Sequence, residues 1–271
     1  MATGDVLIFS EKIDPRPAIV LEGVDDFIQV DAWATDRQTA ADTVGTITAW
    51  VMPEAKDASY TIIAAGDVSA DEFIDFAIIS GKLSIVVSDA ATTDLDVVST
   101  NVVVLPHVWT HVAVVQDSNR PTLYVNGVAV AMTDTTSLDL TSWFDQMSAL
   151  DAGNIGVLDA NSTTTQDFAG AIGQVRHWNA ALSSAEILKD FEGGGEAIST
   201  AVDALQVSTW DWDGLTDKWV GANNGTVVSA AVLDASYNPM TSQLKVAVTL
   251  VGDSLTMSTS DRVMSAIVVK A

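Results

Sequence analysis

The chain has 271 residues, 48% of them hydrophobic, with 36 acidic against 12 basic side chains and a formal net charge of -24. The absence of cysteine excludes a disulfide framework and thiolate metal sites. No basic stripe is present to neutralise phosphates, and no apolar stretch nears the ~20 residues of a membrane helix, so neither nucleic acid nor membrane insertion is expected. Asp outnumbers Glu by 29 to 7, which suits turns, where Asp accepts bonds from nearby backbone amides. The N-terminus lacks the basic start and long apolar core of a secretory signal.

Residues 1–18 read as an N-terminal arm, with one short apolar strand from Val6 to Phe9 and a break at Pro15 and Pro17. From residue 19 onward, strand follows strand with turn residues between, an all-β pattern. Val108 to Val115, and the strand that holds His177, are largely apolar on both alternating faces, as in strands buried inside a sandwich. Phe73 to Ile79 and Leu83 to Val87 flank Ser80-Gly-Lys82 as a hairpin. Leu123 to Val125 and Val128 to Ala131 flank Asn126-Gly127, a pair that tolerates the positive φ of a type I′ turn. His111 and His177 fall inside strands and read as hydrogen-bonded strand histidines. One short helix is expected after Ser183, with Glu186 reaching back to form a capping box and Gly193-Gly-Gly195 as the stop. Residues 236–271 read as a C-terminal β extension of two or three strands, which either packs on its own domain or pairs with a neighbouring sheet edge.

Four segments in order, Gly45-Thr-Ile-Thr-Ala-Trp-Val-Met-Pro53, Trp109-Thr-His-Val-Ala-Val-Val115, Leu123-Tyr-Val-Asn-Gly-Val128 and Phe168-Ala-Gly-Ala-Ile-Gly-Gln-Val-Arg-His-Trp178, resemble the concanavalin A-like lectin/glucanase superfamily in its laminin G-like and pentraxin-like branch. The resemblance covers roughly residues 19–235 and implies one antiparallel β-sandwich of jelly-roll type. It also implies glycan or protein binding, often through calcium, and in some branches glycan cleavage.

Cleavage requires two carboxylates at a set separation, one kept protonated. The nearest candidates, Glu72 and Asp75, are three apart and point to opposite faces of a strand, so no catalytic constellation is expected. Calcium wants about six to eight oxygen ligands on loops. Asn154 to Gly173 resembles the pentraxin calcium loop, which places Gln166 at the family's glutamine and Asp159 and Asn161 in its acidic part, with Asp71 and Glu72 as partners on the earlier loop. This loop is shorter than in pentraxins and has one acid where they carry two. Ordinary polar loop residues are an equal alternative.

Among the eight Trp, the resemblance implies that Trp50, Trp109 and Trp178 are buried, which leaves Trp33, Trp143, Trp210, Trp212 and Trp219 either as core or strand-edge packing residues or as sugar-stacking platforms, with Trp143-Phe144 the pair of first interest. Two functions compete. One is a non-catalytic structural or adhesion protein on a particle surface, such as a virion decoration or fibre component, oligomeric through its terminal strands and partnered by other virion or surface proteins. The other is a calcium-dependent carbohydrate-binding module or adhesin domain that holds cell-surface glycans. Both place the protein on a virion surface or outside the cell.

Overall fold

The computed structural model describes residues 18–194, 197–212, 214–218, 222–229, 231–234, 247–251 and 254–258. The expected arm lies outside these except for Ala18, and the expected extension is described only at 247–251 and 254–258. The first half of the chain supplies β1 (Ala18–Glu22), β2 (Phe27–Gln29), α1 (Asp31–Ala40), β3 (Gly45–Pro53), β4 (Ser59–Gly66), β5 (Phe73–Ile79), β6 (Lys82–Asp89), β7 (Thr92–Ser99), β8 (Thr110–Gln116), β9 (Thr122–Val125), β10 (Val128–Ala129) and β11 (Met132–Ser137). The second half supplies β12 (Ala152–Ile155), β13 (Leu158–Ala160), β14 (Thr163–Thr165), β15 (Ala169–Trp178), α2 (Ser184–Glu192), α3 (Thr200–Asp203), β16 (Gln206–Trp210), β17 (Thr226–Val228), β18 (Val232–Asp234), β19 (Ala247–Val251) and β20 (Ser254–Ser258).

Two antiparallel sheets face one another. The first runs β10-β9-β8-β3-β15-β1-β18 with β16 also beside β15, and the second runs β11-β7-β6-β5-β4-β12-β2-β17. This is the expected all-β sandwich. Alternation places Ile47, Ala49, Val51, Val112 and Val114 of the first sheet and Ile74, Phe76, Ile78, Leu83, Ile85, Leu95 and Val97 of the second in one core. Both expected turns form, with Ser80 and Gly81 at φ 51° and 76° and Asn126 and Gly127 at 49° and 78°. These are the positive values that a two-residue type I′ hairpin requires.

The segment from Leu21 to Val30 is divided between the two sheets. Gly23 and Asp25 take positive φ, and the Asp26 carboxylate accepts from Glu22 N at 2.6 Å and Gly23 N at 3.2 Å. That turn sends β1 into the first sheet and β2 into the second. A helix that the sequence did not announce, α1, follows directly and buries Trp33 and Ala34. The expected helix is α2, and its capping box between Ser183 and Glu186 is complete.

Helices α2 and α3 cover the outer face of the first sheet, where Ala113, Val115, Tyr124, Trp178, Leu182, Ile187, Ile198 and Val202 form a second core. From the buried side of α2, Asp190, 1% exposed, receives Arg176 Nη1, and its Oδ2 lies 3.1 Å from His111 Nε2. Desolvation works to raise the Asp190 carboxyl, but the hydrogen bond from His111 and the charge of Arg176 outweigh it and hold the carboxyl down at about 2. His177 faces the main core and accepts Trp33 Nε1–H at Nδ1 over 2.9 Å. Burial, with a smaller push from Arg37, lowers its pKa well below the usual histidine value, so the ring is neutral. Both histidines are thus hydrogen-bonded strand residues. No helix of the described residues is long and apolar enough to cross a membrane.

Candidate functional site

The outer face of the second sheet is partly roofed by the β13–β14 hairpin. Its turn residues Asn161 and Ser162 have φ 52° and 58°, again type I′ geometry. Register pairs Leu158 with Thr165 and Ala160 with Thr163, so these four share one face, while Asp159 and Thr164 share the other. Leu158 and Ala160 pack on Ala64 of β4, with Phe73 of β5 against them. The hairpin lies so close to β4 that the Asp159 carbonyl occupies the place where a side chain at residue 66 would begin, which explains Gly66.

Between the hairpin and the start of β5 lies an open depression of about 320 Å³, lined by Asp71, Phe73, Leu158, Ala160, Asn161, Thr163 and Thr165. Its rim is fixed by backbone bonds. Asn161 N donates to the Asp67 and Ala70 carbonyls at 2.9 and 3.0 Å, Ser162 N donates to the Val68 carbonyl at 2.6 Å, and Ala91 N donates to the Asp71 carbonyl at 2.8 Å. The side chains of Asp71, Asn161, Thr163 and Thr165 reach solvent, and the Phe73 ring is half-buried beside them. An aromatic surface ringed by hydroxyls, an amide and a carboxylate matches what a sugar offers, one apolar ring face edged by hydroxyl groups.

The residues expected to hold calcium are dispersed by the fold. Asp71 and Asn161 line the depression. Asp159 projects from the opposite face of the hairpin, where burial and the nearby Asp151 carboxylate raise its pKa. Glu72 is 3% exposed and accepts from Ser148 N, from Ser148 Oγ at 2.8 Å and from Ala149 N at 3.0 Å. Gln166 donates to Asp75 Oδ2 at 2.9 Å. Among the described residues no three His or acidic side chains gather as a metal cage, and this arrangement does not fit the ion.

The expected stacking pair is corrected outright. Trp143 and Phe144 are both 0% exposed, with ring centroids 5.3 Å apart in an edge-to-face contact inside the main core. Trp33, Trp210 and Trp212 are buried as well, and Trp219 lies outside the described residues. The aromatic surface at the depression is Phe73. A half-apolar strand start beside Asp71-Glu72 was the available signal for it, overshadowed by the tryptophans.

The sequence profile of the concanavalin A-like lectin/glucanases superfamily matches residues 23–188. The chain belongs to this superfamily. As a lectin-like domain it also resembles solved structures. One is the CBM40 module of the Ruminococcus gnavus IT-sialidase bound to α2,3-sialyllactose, at 17% identity and a TM-score of 0.51, over 62% of this chain and 95% of that one. A second is a candidate carbohydrate binding protein from Bacteroides ovatus, at 16% identity and a TM-score of 0.54, over 83% and 61%. A third is the leech intramolecular trans-sialidase, at 18% and 0.53, over 68% and 29%. At these identities the likeness is one of fold. No curated protein matches the chain in sequence.

Within this lectin-like domain the two carboxylates weighed for cleavage are both engaged. Glu72 is bound as described, and Asp75 is 1% exposed on the outer sheet face beneath Gln166, with Thr61 Oγ1 donating to it at 2.9 Å. Burial pushes the Asp75 carboxyl up to about 7 against the lowering effect of those two hydrogen bonds.

Proposed function

We propose that the protein is a non-catalytic glycan-binding module whose sugar sits in the depression between the β13–β14 hairpin and β5. The observation that carries this reading is the composition of that depression: the Phe73 ring set among Asp71, Asn161, Thr163 and Thr165, on a rim already fixed by backbone hydrogen bonds. A preformed rim lowers the ordering cost of binding. The superfamily supports a binding role, and the engagement of Glu72 and Asp75 supports one without chemistry. The test is a glycan array followed by calorimetry on the wild type and an Asn161→Gly/Thr165→Val variant, which keeps the turn and removes two polar groups. Binding that falls at least about tenfold supports the site, each lost hydrogen bond being worth about 1 kcal/mol. Unchanged binding rejects it.

Display on a particle surface such as a virion, with terminal strands joining copies, is a narrower form of the same reading. Strands β19 and β20 pair with each other and, among the described residues, with neither sheet, and an isolated hairpin is marginally stable in water. Light scattering on the full chain tests this. Assembly supports it, and a monomer at every concentration removes it.

A further inference from the structure

If the depression holds a sugar, its lining also states which charge that sugar carries. Seven of the described residues line it, and none of these is Lys, Arg or His. The single charge among them is the exposed Asp71, whose side chain has no hydrogen-bond partner in the described structure. Its backbone is occupied instead, the carbonyl accepting from Ala91 N. Asp67 and Asp151 stand just behind the rim, Asp67 accepting from Ser69 N at 2.7 Å and Asp151 from Val68 N at 2.9 Å.

Basic residues elsewhere in the described structure do not reach it. Lys82 pairs with Ile79 at one end of the β5–β6 ladder, whereas Phe73 pairs with Ser88 at the other. Lys82 and Ser88 lie six positions apart along the strand, roughly 20 Å at about 3.3 Å per residue. The Lys56 stem lies by Gly81, at the same far end. Arg37 is tied to Asp42, and Arg120 to Asp134. Arg176 is buried under α2, against Asp190.

We infer that the site selects neutral, hydroxyl-rich sugars and rejects sugars carrying a carboxylate, a sulfate or a phosphate. This rests on the glycan-binding reading and narrows it. A neutral sugar's hydroxyls donate to the Asp71 carboxylate and to the Asn161 amide oxygen, and hydrogen bonds to an ionised acceptor are the stronger kind. An anionic sugar meets the same carboxylate without a counter-charge, and desolvating two like charges together is costly. The net charge of -24 adds a repulsive field that reaches further as salt falls. The ligand of the R. gnavus module, α2,3-sialyllactose, therefore does not transfer to this chain with the fold.

The experiment is an array of neutral oligosaccharides of glucose, galactose, mannose and N-acetylhexosamines, each also presented with a terminal sialic acid, probed with the full chain in calcium and in EDTA. The best neutral probe and its sialylated partner are then compared by calorimetry at 150 and 15 mM salt. The expected result is at least about tenfold weaker binding of the sialylated partner, a ratio that widens at low salt. Asp71→Asn, isosteric and at an exposed position, closes that ratio toward one while weakening the neutral probe. Sialylated probes bound as tightly as neutral ones, in either buffer, overturn the charge selection and leave glycan binding standing. A ratio unmoved by Asp71→Asn also overturns it. Binding of no glycan in either form overturns the selection together with the glycan reading beneath it.

Discussion

The Gln166 amide donates to the Asp75 carboxyl across 2.9 Å, tying the segment just after the β13–β14 hairpin to the face of the sheet beneath it. The same segment is held a second time, because Thr61 N donates to the Gln166 carbonyl at 2.9 Å. Asp75 is the buried half of this tie. The facing groups are Ala64 and Thr61 of β4, Val86 of β6 and Gln166 just after the hairpin, none of them charged, with Asp96 two strands away on β7. Burial therefore dominates and lifts the carboxyl to about 7.

The sign of the resulting pH dependence follows. A carboxyl raised in the folded state holds its proton where the unfolded chain, near 3.8, has released it. Its contribution is thus intact below about pH 4 and is lost as pH climbs toward about 7, by roughly 4 kcal/mol at 1.36 kcal/mol per pH unit. Asp75→Asn, which keeps the shape without the charge, should flatten this segment and make the variant more stable than wild type at pH 8. Urea unfolding at pH 4, 6 and 8 measures it. A wild type and variant with parallel profiles would refute the burial argument.

Glu72 gathers three donors from residues 148 and 149. Replacing it with Ala should leave those amides unpaired and cost about 1–3 kcal/mol. Because the carboxylate is committed there, millimolar calcium should leave the melting temperature of the wild type unchanged. A calcium-dependent rise, abolished by Glu72→Ala, would restore the sequence-based expectation of a cation site.

Trp143 sits in the core, and a side chain added at Gly45 would come within 2.7 Å of its Nε1. Trp143→Ala should cost about 3–5 kcal/mol, as large aromatic truncations do, and Gly45→Ala should destabilise through overpacking. Neither should change the affinity per folded molecule for a glycan. Loss of affinity with stability retained would return Trp143 to the binding surface.

Asp190 is held down at about 2, so its stabilisation is present above about pH 4 and disappears as pH falls toward 2. Asp190→Asn should uncover the buried Arg176 and cost about 3–5 kcal/mol at neutral pH. Thermal unfolding of the variant reads this directly.

Much of the fold was legible in the chain because the signals involved are local. Runs such as Val108 to Val115 declare buried strands, Asn126-Gly127 declares its turn, and Ser183 with Glu186 declares a helix start. The helix α1 had no such signal, since it starts without a side-chain cap and carries β-branched Thr35 and Thr39, which lower helix propensity. Trp143 looked exposed because Thr141, Ser142 and Asp145 surround it in sequence, whereas it is 0% exposed beside Phe144, whose ring packs on Trp33 of α1 and His177 of β15. The fates of Glu72 and Gln166 were equally hidden. Their partners lie 76 and 91 residues away, and spacing alone carries no information about which loop a carboxylate or amide will reach. The depression depends on a hairpin folding back over the sheet, a tertiary event visible in the sequence only as Asn161-Ser162 between two short β runs.

Amide chemical-shift mapping of the isotopically labelled full chain, during titration with the best neutral oligosaccharide, locates the sugar on the molecule. A sugar in the depression gives saturable shifts concentrated at Asp71 to Phe73 and at Leu158 to Thr165, with α2, α3 and the Lys82 end of the sheet unmoved. Saturable shifts centred anywhere else on the molecule would rule that site out.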